Sequence, residues 1–210
     1  MKFFAPLFAA LCATAHVATA YTAEEQAAAI KTVTDKGFPP LAAFSMMTPK
    51  LLTVVMENYL NLIKPDTLEH ITPLDLEVIW TAVSSANNCE ICLSFHAMTL
   101  MGAEKDAKEV EAIVAGGVPE DEKMAGLVVA AKYAMAHKGI FLEREKKHLA
   151  MLGIEGDKLI EITFAVGQMS ALNMLYIHLI SEGVDVEDFL QGAGPFKKTV
   201  YKEALAKAEL

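Results

Sequence analysis

The sequence predicts a single all-α domain, and three observations carry that prediction. Beyond residue 21, apolar residues recur three and four apart, the spacing of one helix face. The intervening positions are dominated by strong helix formers, Ala, Leu, Glu, Lys and Met, and nothing alternates with period two for long. At 210 residues, 53% hydrophobic and 21% charged, the chain is long enough for one domain with a sizeable core.

Residues 1–20, MKFFAPLFAALCATAHVATA, read as an export signal rather than as part of the domain. Lys2 is a minimal positive start, Phe3 to Leu11 is a short apolar run, and Ala18-Thr19-Ala20 is a small-x-small cleavage site. A stable membrane anchor would need about 20 predominantly apolar residues, and this run stops short. The expected mature domain is therefore 21–210, exported to the periplasm or secreted. Removing Cys12 with the signal leaves two cysteines, Cys89 and Cys92.

Helices are expected at 22–36, 49–63, 73–87, 89–101, 104–115, 120–137, 143–151, 156–182 and 196–208. Punctuation supports the breaks: Gly37-Phe38-Pro39-Pro40, Lys64-Pro65-Asp66, Gly116-Gly117-Val118-Pro119 and Gly183. Thr72-Pro73-Leu74-Asp75 is a coherent helix start, with Thr as N-cap, Pro in the first position and an acid in the first turn. Asn87-Asn88 offers a break and a cap, which puts Cys89 at or near the start of the next helix. The uncharged stretch 162–180, ITFAVGQMSALNMLYIHLI, has the length of a membrane span, but Gln168, Ser170, Asn173 and His178 would be costly in lipid. It reads instead as a buried central helix. A faint echo pairs Ala82-Val83 with Ala165-Val166 and His96 with His178, suggesting a weak internal duplication.

The chemistry concentrates in EVIWTAVSSANNCEICLSFHAM, residues 77–98. Helical residues three and four apart share a face, so Cys89, Cys92 and His96 are neighbours. The Cα atoms of the two cysteines would lie ~5–5.5 Å apart, within disulfide range. A helix start favours a thiolate at Cys89, whereas His96 one turn on favours Cys92. Spacing alone leaves open which sulfur attacks. Glu77, delivered from the preceding helix, could orient His96 directly or through a water, completing a nucleophile, base and orienter. A structural disulfide would close only a tiny loop and leave Glu77 and His96 without a role. A zinc site has acceptable ligand types but an atypical layout, three on one helix and one on its neighbour.

The pattern E-x11-C-x-x-C-x3-H, formed by Glu77, Cys89, Cys92 and His96, resembles the redox branch of the alkylhydroperoxidase D-like family, within the carboxymuconolactone decarboxylase superfamily. The resemblance implies an all-α bundle that assembles into homo-oligomers, trimers or hexamers, and needs no metal or organic cofactor. It also implies a thiol-dependent peroxidase in which Cys92 attacks a hydrogen or organic peroxide, Cys89 resolves the sulfenic acid, His96 is the base and Glu77 acts on His96 through water. Glu90-Ile91 between the cysteines lacks the auxiliary histidine of some members. An exported enzyme would require a thiol or dithiol reductant in its own compartment; the alternatives are disulfide exchange on other proteins, or a non-catalytic helical protein with a structural disulfide.

Other residues read more plainly. Trp80 is expected in the core, where it could keep the relay dry; Ser84 and Asn88 share the Glu77 face and are candidates to line the site. His178 is expected in the core or a cavity wall, while His70, His137 and His148 look solvated. The eleven methionines read as core filling. A net charge of −9 with no basic cluster argues against nucleic acid or an anionic membrane as partner.

Overall fold

The computed structural model describes residues 21–36, 42–64, 66–103 and 105–187, so the signal expected at 1–20 and the helix expected at 196–208 lie outside the described residues. The described residues are all-helical: α1 Ala23–Thr34, a 3-10 turn Ala42–Met46, α2 Pro49–Leu62, α3 Pro73–Ala86, α4 Glu90–Gly102, α5 Ala107–Val114, α6 Glu122–Ala136, α7 Glu143–Met151 and α8 Gly156–Ser181. The expected helices within this range all form, with ends trimmed by a few residues. The 3-10 turn was not anticipated, because five residues hold no full period to read.

The bundle is built around α3. Every residue from Asp75 to Ser84 is buried, as expected for a helix that is apolar around its whole circumference. It is walled by α4, α5, α6 and α8, while α1 and α2 form an outer pair, and the 3-10 turn contacts both α1 and α8. The start of α3 is fixed as its sequence suggests. Thr72 Oγ1 accepts from the Asp75 backbone N–H at 3.2 Å, and the Asp75 carboxylate accepts from the Thr72 N–H at 3.0 Å. The buried Asp75 is neutralised by Lys123 Nζ at 2.7 Å, tying α3 to α6.

The turn between α3 and α4 departs from the expected layout. Asn87 closes α3 and Asn88 takes a left-handed backbone (φ 54°), so it ends the first helix and does not cap the second. Cys89 is itself the N-cap, extended at φ −87°, ψ 93°, and α4 begins at Glu90.

The long helix α8 meets the length and composition of a membrane span. It is not buried all round. Ile162, Ala165, Val166, Met169, Asn173, Tyr176 and Leu179 pack inward, whereas Ile160, Phe164, Met174 and Ile177 face out. Lack of charge signalled an apolar helix, and only its period-3.6 burial shows which side is covered. The internal echo does not mark two copies of one unit: the chain breaks between Ala82-Val83 and His96, yet runs unbroken in α8 from Ala165 to His178. His178 is exposed, correcting its expected place in the core.

Glu161 on α8 holds the loop ahead of α3, its carboxylate accepting the backbone N–H groups of Glu69, His70 and Ile71 at 2.8–3.0 Å. Replacing it with alanine hands three donors back to water. Glu161→Ala should cost about 1–2 kcal/mol in urea unfolding with the reduced dithiol intact; a loss below about 0.3 kcal/mol would mean water substitutes fully for the carboxylate.

Candidate dithiol site

Glu77 enters the core because α3 is buried on all sides. Its carboxylate is divided between two partners: Oε2 lies 2.7 Å from His96 Nδ1, and Oε1 accepts from the Tyr59 hydroxyl at 3.1 Å. The contact to histidine is direct, replacing the water-mediated one that the resemblance implied. Tyr59, from α2, is a partner that spacing within the motif had no way to reveal. Burial and the Glu77 charge both push its phenol upward, so it stays a neutral donor.

Aromatic rings enclose this pair. Centroids of Trp80 and Phe95 lie 5.2 and 5.4 Å from that of His96, and Tyr59 packs against Trp80 at 5.5 Å. Trp80 is fully buried, so it fills the core and shields the relay at once. With Nδ1 on the carboxylate, the imidazole has its second nitrogen left for chemistry, the tautomer set by the carboxylate in the manner of an oriented base.

Cys92 and His96, one turn apart on α4, line the same cavity. Its other walls are apolar or aromatic, among them Phe44, Met56, Tyr59, Met169 and Tyr176. The cavity measures about 40 Å³, on a scale where one water occupies roughly 10–15 Å³. Cys92 is 4% exposed and Cys89 0%, and Cys89 does not reach the cavity wall. Both are free thiols, so this is the dithiol state.

The two sulfurs differ in charge as well as access. The Cys89 thiol is lowered, first by the hydrogen bond it receives from Cys92; burial opposes this, and the Cys92 backbone N–H and the Asn173 amide add to it. The Cys92 thiol is pushed well up, first by burial, then by its bond to Cys89 and the neighbouring charge. The Cys89 thiol is thus the more acidic of the pair and the Cys92 thiol the less acidic. Access to the cavity and acidity fall on different atoms.

Asn173, from α8, completes the site. Its Nδ2 lies 3.1 Å from Ser84 Oγ and 3.3 Å from Met169 Sδ, and its Oδ1 accepts from Asn87 Nδ2 at 2.9 Å. Asn173 had been visible only as a polar interruption in an apolar run. Ser84 joins the site through it, whereas Asn88 is exposed and borders a separate groove with Glu90 and Lys132. All four motif residues thus meet: Glu77 on His96, His96 with Cys92 at one cavity, and Cys92 on Cys89. Among the described residues no group of three or more His, Cys, Asp or Glu side chains is arranged to hold a metal ion.

The histidines outside the site are less solvated than their lysine neighbours suggested. His137 Nε2 sits 3.0 Å from the buried Glu145, and His148 Nδ1 lies 3.1 Å from the Tyr133 hydroxyl. His70 is exposed, as expected.

Titrating the reduced protein by thiolate absorbance should remove one proton below the ordinary cysteine range and the second well above it. In Cys92→Ala the remaining midpoint should rise, because the largest influence lowering Cys89 is gone while its burial stays. Two protons leaving together near the free-cysteine value would contradict the charge assignment.

Comparison with family models, curated proteins and solved structures gives no match to any of them.

Proposed function

We propose that the site is the centre of a thiol-dependent peroxidase acting on hydrogen or organic hydroperoxides. The observation that carries this reading is the small, mostly apolar cavity lined by Cys92 and the Glu77-oriented His96. A small peroxide group can enter such a cavity. A protein disulfide requires an exposed sulfur, and neither cysteine has one.

The chemistry starts from the shared proton. Transfer of the Cys92 proton to Cys89 or to His96 places the thiolate at the cavity wall. That sulfur attacks the terminal peroxide oxygen, the O–O bond breaks, and the departing alkoxide takes a proton from His96 or solvent to leave as alcohol. Cys92 is now a sulfenic acid. The Cys89 sulfur displaces its hydroxyl, which leaves as water with a proton from the dithiol site, and a Cys89–Cys92 disulfide forms. An external dithiol must then reduce the disulfide by exchange, itself becoming oxidised. The cavity favours a reductant with a slender reactive end.

Glu77 and Tyr59 act through His96, holding its tautomer and ring plane. Export through residues 1–20 and self-association belong to the same reading; the apolar outer face of α8, with Ile160, Phe164, Met174 and Ile177, supports the latter.

Pre-reduced mature protein supplied with excess dithiothreitol should consume cumene hydroperoxide continuously, and Glu77→Gln, which acts only through His96, should lower the rate at neutral pH by about 100-fold, the low end of what a positioned acid–base group contributes, while the protein remains folded. Reactivation of a scrambled protein substrate without peroxide turnover would instead make the site a dithiol–disulfide exchange catalyst. An unchanged rate in Glu77→Gln would remove it from the relay.

A further inference from the structure

We propose that the outer face of α8 is a homodimer seam, on which α8 of a second copy of this chain packs antiparallel about a twofold axis between Gly167 and Ala171. The inference specifies how the self-association named above is made, and it does not depend on what the dithiol reacts with.

The spacing of the exposed positions is the first observation. Between Asp157 and Ser181 the exposed residues of α8, Ile177 aside, fall alternately three and four apart. That repeat of 3.5 is the seam of a coiled coil, and the outer face of a core helix is ordinarily polar. Here its inner six positions are Ile160, Phe164, Gly167, Ala171, Met174 and His178, with no acid, lysine or arginine among them. Ile160 is 66% exposed, Phe164 52% and Met174 68%. With Ile177 they leave roughly 400 Å² of apolar surface in water, within the range of patches that are often functional. That is about half of the ~800 Å² each partner gives to a standard interface, and the flanks of a helix ~39 Å long supply the rim.

The order of the side chains selects the occupant and its direction. Turned antiparallel, a second α8 sets Phe164 of each copy against Met174 of the other and Ile160 against His178. Large side chains meet toward the ends, and Gly167 meets Ala171 at the centre, where small residues let two helices approach. Gly167 has no such use within its own chain: a Cβ placed there would meet nothing within 4 Å, and glycine in a helix interior is destabilising relative to alanine. A parallel pair would instead stack Phe164 on Phe164 and glycine on glycine.

Three further features fit the same arrangement. A groove of about 450 Å³, walled by Gly139, Phe141, Leu159 and Thr163, lies beside Phe164. Ile177 is on the same flank of the seam as Thr163, two seven-residue repeats away, so the antiparallel copy seats its Ile177 at this groove, and the contact recurs by symmetry. Beside the axis, half-buried Gln168 has both amide atoms without a hydrogen-bond partner. Turned to the axis, it meets Gln168 of the second copy, and two such amides can each donate and accept. Asp157 in the first turn of one helix comes to the last turn of the other, which holds His178, and the two helix dipoles are opposed. A lipid surface would use the apolar side chains but neither the notch at Gly167 nor the pairing of Gln168.

The test is sedimentation of the reduced mature protein at micromolar concentration. The wild type should be a dimer or an even-numbered assembly. Phe164→Glu and Met174→Lys, both at exposed positions, should each halve the mass while helix content by circular dichroism is unchanged. Mixing the two variants should restore association, because the new acid on one chain then faces the new base on the other while the second Phe164–Met174 contact stays native. Single variants that keep the wild-type mass, or a mixture that stays dissociated, would overturn the seam; self-association through another face would survive the first of these results. A monomeric wild type would overturn both, and its flotation with phosphatidylcholine vesicles would assign the face to lipid. Should a variant not fold, the wild type decides: in a sample mixing methyl-labelled and unlabelled chains, the Met174 methyl should show a nuclear Overhauser contact to the Phe164 ring of the other copy, and its absence would overturn the proposal. None of these outcomes bears on peroxide turnover.

Discussion

A carboxyl group inside an apolar helix is tolerable only if its oxygens have partners, and Glu77 finds them in His96 and Tyr59. Removing either partner would leave a buried polar group without compensation, a loss commonly of about 3–5 kcal/mol when the pair is ionic. The contact therefore constrains the packing of α3 against α4. Tyr59 occupies the other carboxylate oxygen and brings α2 into the same arrangement, while Trp80 and Phe95 keep water away. One interaction thus ties three helices together and fixes the imidazole that faces the cavity.

That constraint explains how two chemically identical side chains acquire different properties three residues apart. Cys89 is the N-cap of α4 and does not reach the cavity wall, and its thiol is lowered, first by its hydrogen bond with Cys92. Cys92 lies one turn in, where α4 borders the cavity, and burial keeps its proton on. The sulfur that lines the cavity has its pKa raised, and the enclosed sulfur has its pKa lowered. In the proposed chemistry the proton between them is the switch, and His96 is the group that can take it.

The helices and the four motif residues were legible in the sequence because both depend on short-range spacing. Cys92 and His96 are four apart, and Thr72, Pro73 and Asp75 announce a helix start by residue type alone. What was not legible depended on contacts across elements. Tyr59 lies 18 residues from its partner Glu77 and Asn173 lies 89 from its partner Ser84, with no periodic signal linking them. Asn173 was nonetheless the right kind of anomaly, an amide within a run that otherwise had no need of one. His178 and His137 were misjudged for the complementary reason: composition suggested their surroundings, but burial depends on which face a helix turns inward. The same limit applies to Asn88, whose left-handed backbone makes it the end of one helix instead of the cap of the next.

In the proposed chemistry Cys92 is the sulfur that meets peroxide, although the Cys89 thiol is the more acidic of the two. The most direct measurement mixes reduced Cys89→Ser protein with one equivalent of tert-butyl hydroperoxide in the presence of dimedone and locates the adduct by mass spectrometry. The account predicts rapid formation of one sulfenic acid adduct on Cys92, while Cys92→Ser treated in the same way reacts no faster than a small free thiol. Rapid adduct formation on Cys89 in Cys92→Ser, with none on Cys92 in Cys89→Ser, would contradict it.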